Sequence, residues 1–232
     1  MVTKIISHRG RTSKNSEDNT LQAIDDAINL KIDMVEVDIR KTKDSQIVCF
    51  HDSVLKGIPL KDMNYPEILE INPNIPTLEQ VLLLSKDKIE VDVEFKEYGY
   101  EKEVISLLLG YFEYESFIVK SFNLEIVKKV KEIDDRVRAG MLLGSEISFN
   151  QLLDVIYESL FLYKFKASNA DFISPYYKIF EAGWVNRFAS KGIPIQVWTV
   201  NDQDLLKTLI HQDIDSVVTD IPEIAQKIRK SI

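Results

Sequence analysis

The chain has 232 residues, with 29 Lys+Arg against 37 Asp+Glu, three His and one Cys, and a formal net charge of −8. Eleven Phe, nine Tyr and a 45% hydrophobic share exclude an intrinsically disordered chain, and the single Cys49 excludes a disulfide scaffold. The acidic balance argues against nucleic acid or an anionic membrane as the main partner, although it says nothing about a local anion site.

The start of the chain, Met1 to His8, has no apolar h-region or small-residue cleavage pattern, and a polar stretch from Arg9 to Asn19 follows. The most apolar later window, Gln151–Phe165, is broken by Asp154, Glu158 and Lys164, short of the roughly 20 apolar residues that span a bilayer. The expectation is a cytoplasmic protein without stable membrane anchoring.

Short β-rich runs alternate with helical patterns. Lys4–Ser7 reads as a strand and Thr20–Leu30 as a helix with Leu21, Ile24, Ala27 and Ile28 on one face, capped by Asn19-Thr20. Strands at Met34–Ile39 and Ile47–Phe50 follow, then a helix near Leu78–Leu84 and a strand at Ile89–Phe95. The alternation continues with helix 101–110, strand 117–121, helix 123–133, strand 137–143 and helix 149–162. Strand 171–174, helix 178–190, strand 194–200, helix 202–211, strand 215–218 and a helix from Pro222 complete it. Repeated strand–helix units predict parallel strands with helical crossovers, the pattern of a (β/α)8 barrel.

Nine strands are one too many for that barrel. Met34–Arg40 and Gln46–Phe50 are too close for a crossover helix, and Lys43-Asp44-Ser45-Gln46 reads as a tight turn, so the extra strand is expected as a hairpin excursion after strand 2. A two-residue turn centred between Asp44 and Ser45 pairs Lys43 with Gln46 and sets Asp38 opposite His51. Residues 52–76, with Pro59, Pro66, Pro73 and Pro76, read as a short insertion beside His51. Nothing resembles a linker, so residues 1–232 are expected to form one domain.

Barrel enzymes carry their chemistry at the carboxyl ends of the strands. Those ends read His8-Arg9-Gly10, Glu36-Val-Asp38, His51-Asp52, Glu94-Phe-Lys96, Ser121-Phe122, Trp198-Thr199 and Thr219-Asp220. Glu36 and Asp38 share a strand face, as do Asp92, Glu94 and Lys96. An isolated Glu-x-Asp is more often a solvated or lysine-paired surface feature. Here Met34, Val35, Val37 and Ile39 flank it, which favours burial, and inward-facing carboxylates repel unless a cation sits among them. Carboxylates without thiols suit Mg2+ or Ca2+ rather than zinc. His8 is a candidate general acid or base and Arg9 a bidentate phosphate clamp. His51, at another strand end, completes the parts needed for phosphodiester hydrolysis. Trp198 stands where it can line a pocket. His211 reads as a helix-end residue and Cys49 as an inert core thiol.

In this order the stretches His8-Arg9-Gly10, Asp18-Asn19-Thr20, Val35-Glu36-Val37-Asp38-Ile39, His51-Asp52, Ile75-Pro76-Thr77-Leu78-Glu79, Val93-Glu94-Phe95-Lys96, Ser121-Phe122, Val197-Trp198-Thr199-Val200-Asn201 and Val217-Val218-Thr219-Asp220-Ile221-Pro222 resemble the glycerophosphodiester phosphodiesterase family. The resemblance implies a phospholipase-C-like barrel with His8 and His51 as the acid/base pair. It implies Glu36, Asp38 and Glu94 as ligands of Mg2+ or Ca2+. Arg9, Lys96 and Trp198 are implied at the substrate, with Asp18 and Asn19 supporting them from behind. The implied reaction cleaves a small-molecule glycerophosphodiester, such as glycerophosphocholine or glycerophosphoethanolamine, to an alcohol and glycerol 3-phosphate, in lipid and glycerol metabolism. Two departures stand out: the family's Pro-Glu-Asn-Thr reads Glu17-Asp18-Asn19-Thr20, and the stretch after His51-Asp52 is short and lacks the usual arginine. A lysophospholipid substrate would call for a membrane-binding surface that no basic amphipathic helix supplies. A non-catalytic ligand-binding barrel would leave the clustered carboxylates as a cost to stability.

Overall fold

The alternation of apolar and polar side chains along the strands builds a closed ring in the computed structural model, which describes residues 2–13, 17–144, 163–181, 190–212 and 214–231. The strands are β1 (Lys4–Ser7), β2 (Met34–Lys41), β3 (Ile47–Cys49), β4 (Val54–Leu55), β5 (Ile58–Pro59), β6 (Glu90–Phe95), β7 (Phe117–Ser121), β8 (Ala139–Leu143), β9 (Phe172–Pro175), β10 (Gln196–Val197) and β11 (Ser216–Thr219). Eight of them pair in parallel in the order β10-β11-β1-β2-β6-β7-β8-β9. The bridges Ile173↔Ile195 and Tyr176↔Trp198 join β9 to β10 and close the barrel.

The period of two divides each strand between two environments. Ile5, Val35, Val37, Val91, Val93, Phe117, Val119, Ile173, Val197 and Val217 face the helices and join the principal core. Their burial contributes about 1.5–3 kcal/mol per side chain, which offsets a barrel interior that is largely polar. Inside, Ile6, Met34, Ile118, Phe172 and Val218 form an apolar floor. Two residues further along β2, β6 and β7 the same inward face carries Glu36, Asp92 and Lys120, and beyond them Asp38 and Glu94. The helices pack their apolar faces outside: Leu21–Asn29 buries Ala23, Ile24 and Ala27, and Gln203–His211 buries Leu206, Leu209 and Ile210.

Helix and strand positions follow the periodicity closely. The expected helix 149–162, most of helix 178–190 and Trp184 lie outside the described residues. The expected strand 194–200 is two residues long, because on either side of Gln196–Val197 its contacts with β9 are single bridges, at Ile195 and at Trp198. The hairpin after β2 is present, with β3 antiparallel to it, but its register is shifted by one residue. Ile39 pairs with Cys49 and Lys41 with Ile47, and Phe50 donates its N–H to the Asp38 carbonyl at 3.0 Å. Asp38 therefore lies opposite Phe50 and not His51. The cause is a three-residue turn: Thr42 N–H bonds Gln46 at 2.9 Å, and Ser45 takes φ 67° to close the loop. The insertion holds a small hairpin, β4–β5, and the helix Tyr65–Ile71, seated on a satellite core of Val48, Leu55, Leu60, Met63, Ile68 and Ile75.

Candidate active site

The turn after β1 is built for proximity to the helix behind it. His8–Gly10 form a single 3-10 turn in which Arg9 has φ 55° and Gly10 φ 77°. A Cβ on Gly10 would stand 2.9 Å from the Ala23 Cβ and 3.0 Å from the Ala23 backbone carbon, so only glycine permits this approach. Arg9 and Asn19 (φ 58°) both hold left-handed conformations that cost about 1–2 kcal/mol in an ordinary residue. Hydrogen bonds hold them there: Arg9 N–H donates to Glu36 Oε2 at 2.9 Å and Asn19 N–H to the Arg9 carbonyl at 2.9 Å. The Asn19 side chain clasps Asp38 twice, its Nδ2 donating to Oδ2 at 3.0 Å and its Oδ1 accepting the Asp38 N–H at 3.0 Å. Thr20 alone caps the following helix, accepting from Ala23 N–H at 3.2 Å.

His8 Nδ1 lies 2.7 Å from Asp220 Oδ1, and Asn201 donates to the other Asp220 oxygen at 2.6 Å. Burial works against the Asp220 charge, but the bonds from His8 and Asn201 and the field of Arg11 outweigh it and lower its pKa. An ionised Asp220 accepts from Nδ1–H, which leaves Nε2 as the acceptor nitrogen of the neutral His8 ring.

Glu36, Asp38 and Glu94 are all buried, and each offers an oxygen within 4.8 Å of the others. That separation fits donors on one cation, since Mg–O and Ca–O bonds run roughly 2.0–2.6 Å. The fit is also chemical: all donors are hard carboxylate oxygens, buried on the inward face with no thiol among them. Lys96 Nζ stands 2.8 Å from Asp38 Oδ1 and also bonds Glu94, while Arg9 Nε is 3.0 Å from Asp38 Oδ2. The lysine pairing and the cation-like spacing of the carboxylates are thus features of one cluster. Burial acts against the Asp38 charge, yet Lys96 and Arg9 hold it well below the usual carboxylate range. Glu94 is pushed up to about 7 by burial and by Asp38, which outweigh Lys96. One cluster therefore holds a firmly ionised acid beside one that keeps its proton near neutrality. Asp18 bonds Arg9 Nη1 at 3.3 Å and pairs with Arg11 through both nitrogens, which fixes the arginine from behind.

His51 makes its hydrogen bonds outside the carboxylate cluster. Its Nδ1 lies 2.8 Å from Asp52 Oδ1, and its carbonyl accepts two bonds from Arg40, at 2.9 and 2.7 Å. The ring is 42% exposed at the mouth. Trp198 donates its indole N–H to the Ser174 carbonyl at 2.7 Å, meets Phe122 edge-on and packs at a tilt against Tyr176, so three aromatic rings cluster at these strand ends. His211 donates its Nδ1–H to the Lys207 carbonyl at 2.8 Å, and Cys49 is buried with its thiol pushed up, as expected of a helix-end histidine and a core thiol.

Several polar groups had no sequence signal pointing to their partners. Lys120 pairs with Asp92 at 2.7 Å, and Gln196 and Ser174 complete the layer under the triad. Asp92 itself is pushed up to about 6 by burial, against the pull of Lys120. Asp220 was visible as a strand-end acid, but its bond to His8 joins residues 212 positions apart.

A parallel eight-strand barrel with this mouth is an α/β phosphodiesterase frame, and the comparisons with known proteins agree. The model of the glycerophosphoryl diester phosphodiesterase family matches residues 8–224, so the chain belongs to that family of hydrolases acting on phosphoric diester bonds. YhdW of Bacillus subtilis is 29% identical, over 94% of this chain and 95% of its own. The glycerophosphodiester phosphodiesterase of Caldanaerobacter subterraneus is 27% identical over 96% of each chain. A solved glycerophosphodiester phosphodiesterase of Thermotoga maritima is 25% identical, with a TM-score of 0.81 over 98% of this chain and 99% of that one. Among the described residues no helix is long and apolar enough to cross a membrane.

Proposed function

We propose that the chain is a single-domain, cytoplasmic, metal-dependent hydrolase of small glycerophosphodiesters, such as glycerophosphocholine and glycerophosphoethanolamine. It releases an alcohol and glycerol 3-phosphate by histidine acid/base catalysis and serves lipid and glycerol metabolism. The observation that carries the reading is the conjunction at one barrel mouth of an oriented imidazole, a carboxylate triad and two fixed cations. Glu36, Asp38 and Glu94 would hold a divalent ion, Mg2+ or Ca2+. When bound, that ion neutralises phosphate charge and polarises the phosphoryl oxygens. Arg9 and Lys96 add positive charge on the same side, so the dianionic character that develops in the transition state is met by preorganised groups. His8 exchanges a proton at Nε2 while Asp220 stabilises its cation. His51, exposed at the mouth, serves as the second proton carrier. Water adds to phosphorus, the bond from phosphorus to the alcohol oxygen breaks, and that oxygen leaves with a proton. Trp198 bounds the space for the substrate's organic portion.

A coupled assay for glycerol 3-phosphate with glycerophosphocholine and glycerophosphoethanolamine, in Mg2+ or Ca2+, tests the reading. Release should vanish with chelator and fall at least about 100-fold in His8→Ala and in His51→Ala. Absence of release from every headgroup, with either ion supplied, overturns it.

A further inference from the structure

Level with Glu36 and beneath Asp38 lies an ion pair that the reaction just described leaves without a role. Asp92 and Lys120 are 0% and 2% exposed, with Lys120 Nζ 2.7 Å from Asp92 Oδ2. Gln196 ties them together, donating to Asp92 Oδ2 at 3.0 Å and accepting from Lys120 at 3.2 Å, while Ser174 Oγ donates to the same amide oxygen at 2.8 Å. The register sets this pair against the ligand set: Asp92 is beside Glu36 across β2–β6, and Lys120 is beside Glu94 across β6–β7.

Stability does not account for the pair. A buried ion pair is at best near neutral against apolar side chains of similar volume. The layer below shows that this barrel closes with apolar groups, for Ile6, Met34, Ile118, Phe172 and Val218 fill it. What the pair adds is two fixed, opposite charges in a water-excluded interior, where Coulomb interactions are poorly screened. Four buried acids, Glu36, Asp38, Asp92 and Glu94, face Arg9, Lys96 and Lys120.

We propose that Asp92 and Lys120 form a charge-setting floor under the metal site, Asp92 strengthening and Lys120 weakening the hold of the triad on a divalent cation. Both are positioning residues, since neither reaches the substrate. The Lys120 ammonium keeps the three acids of the triad from binding the ion too tightly to exchange, and Asp92 keeps Lys120 from repelling it altogether. The inference rests on the reading of Glu36, Asp38 and Glu94 as a metal site.

Calorimetric titration of the full chain with Mg2+ alone and with Ca2+ alone, at pH 8, tests it without reference to turnover. Asp92→Asn keeps the shape and an acceptor for Lys120, and should weaken binding at least tenfold. Lys120→Gln should tighten binding by a similar factor, and the double variant should return to within about threefold of the parent. A merely structural pair would lower thermal stability in both single variants without moving the two affinities in opposite directions. That outcome overturns the inference while leaving the metal site intact. If the parent binds neither ion, the metal reading fails, and this inference fails with it. Should Lys120→Gln not fold, Asp92→Asn decides alone: tenfold weaker binding supports the floor, and unchanged or tighter binding overturns it.

Discussion

At the residue, the site is a set of side chains whose freedom has been removed by partners distant in sequence. Asn19 spends both ends of its amide on Asp38, and Asp220 is itself held by Asn201 before it meets His8. The candidate donors were legible in the sequence because charged residues at strand ends are conspicuous; their partners were not. Nothing in Val119-Lys120-Ser121 announces that Lys120 turns into the barrel toward Asp92, since the two lie 28 positions apart and meet only across paired strands. The His8–Asp220 bond carries a prediction of its own. In Asp220→Asn the amide can donate to Nδ1, which favours the wrong imidazole tautomer and removes the charge that stabilises the imidazolium. We expect kcat to fall about a hundredfold, with KM changed by no more than about twofold, because proton transfer and not substrate binding is affected. Steady-state kinetics on the released glycerol 3-phosphate measures this, and a change confined to KM would contradict it.

At the level of elements, the strands and helices were readable because each satisfies a period: Val35, Val37 and Ile39 face the helices, and Glu36 and Asp38 face the axis between them. The hairpin register was not, because it depends on one backbone angle. Lys43-Asp44-Ser45-Gln46 contains no glycine to mark a left-handed position, yet Ser45 adopts φ 67° and lengthens the loop by one residue. That single residue decides whether His51 or Phe50 lies opposite Asp38. The strained angle gives a direct test. Ser45→Gly removes a left-handed penalty of about 1–2 kcal/mol and adds unfolded-state entropy of about 0.5–1 kcal/mol, for a net gain of about 0.5–1 kcal/mol. Urea unfolding should show a higher midpoint at unchanged slope. Destabilisation would show that the Ser45 side chain supports the turn.

At the scale of the molecule, the barrel has an apolar floor, a charged middle and a mouth whose carboxylates pair with Lys96 and Arg9 and, on the proposed reading, exchange a proton for a divalent ion. Glu94 is the titrating member: its ordinary value of 4.5 is pushed up to about 7 by burial and Asp38. Between those two values the folded protein holds a proton that the unfolded chain has released, so this group's contribution favours folding at low pH. It declines as pH rises through that range and is gone above about pH 7. Asp38 acts in the opposite sense, since its depressed pKa stabilises the fold above the ordinary carboxylate range and is lost on acidification. A divalent ion bound by the triad replaces the Glu94 proton, so its affinity should rise about tenfold per pH unit between roughly pH 5 and 7 and level off above. Thermal unfolding with and without Mg2+ or Ca2+ at pH 5.5, 6.5, 7.5 and 8.5 should show ion-induced stabilisation growing steeply over the first unit and differing little between pH 7.5 and 8.5. Calorimetry in buffers of different ionisation enthalpy should show close to one proton released per ion at pH 5.5 and none at pH 8. Proton release that does not change across this range would show that Glu94 enters the site already ionised, with Lys96 and not a proton as the charge the ion displaces.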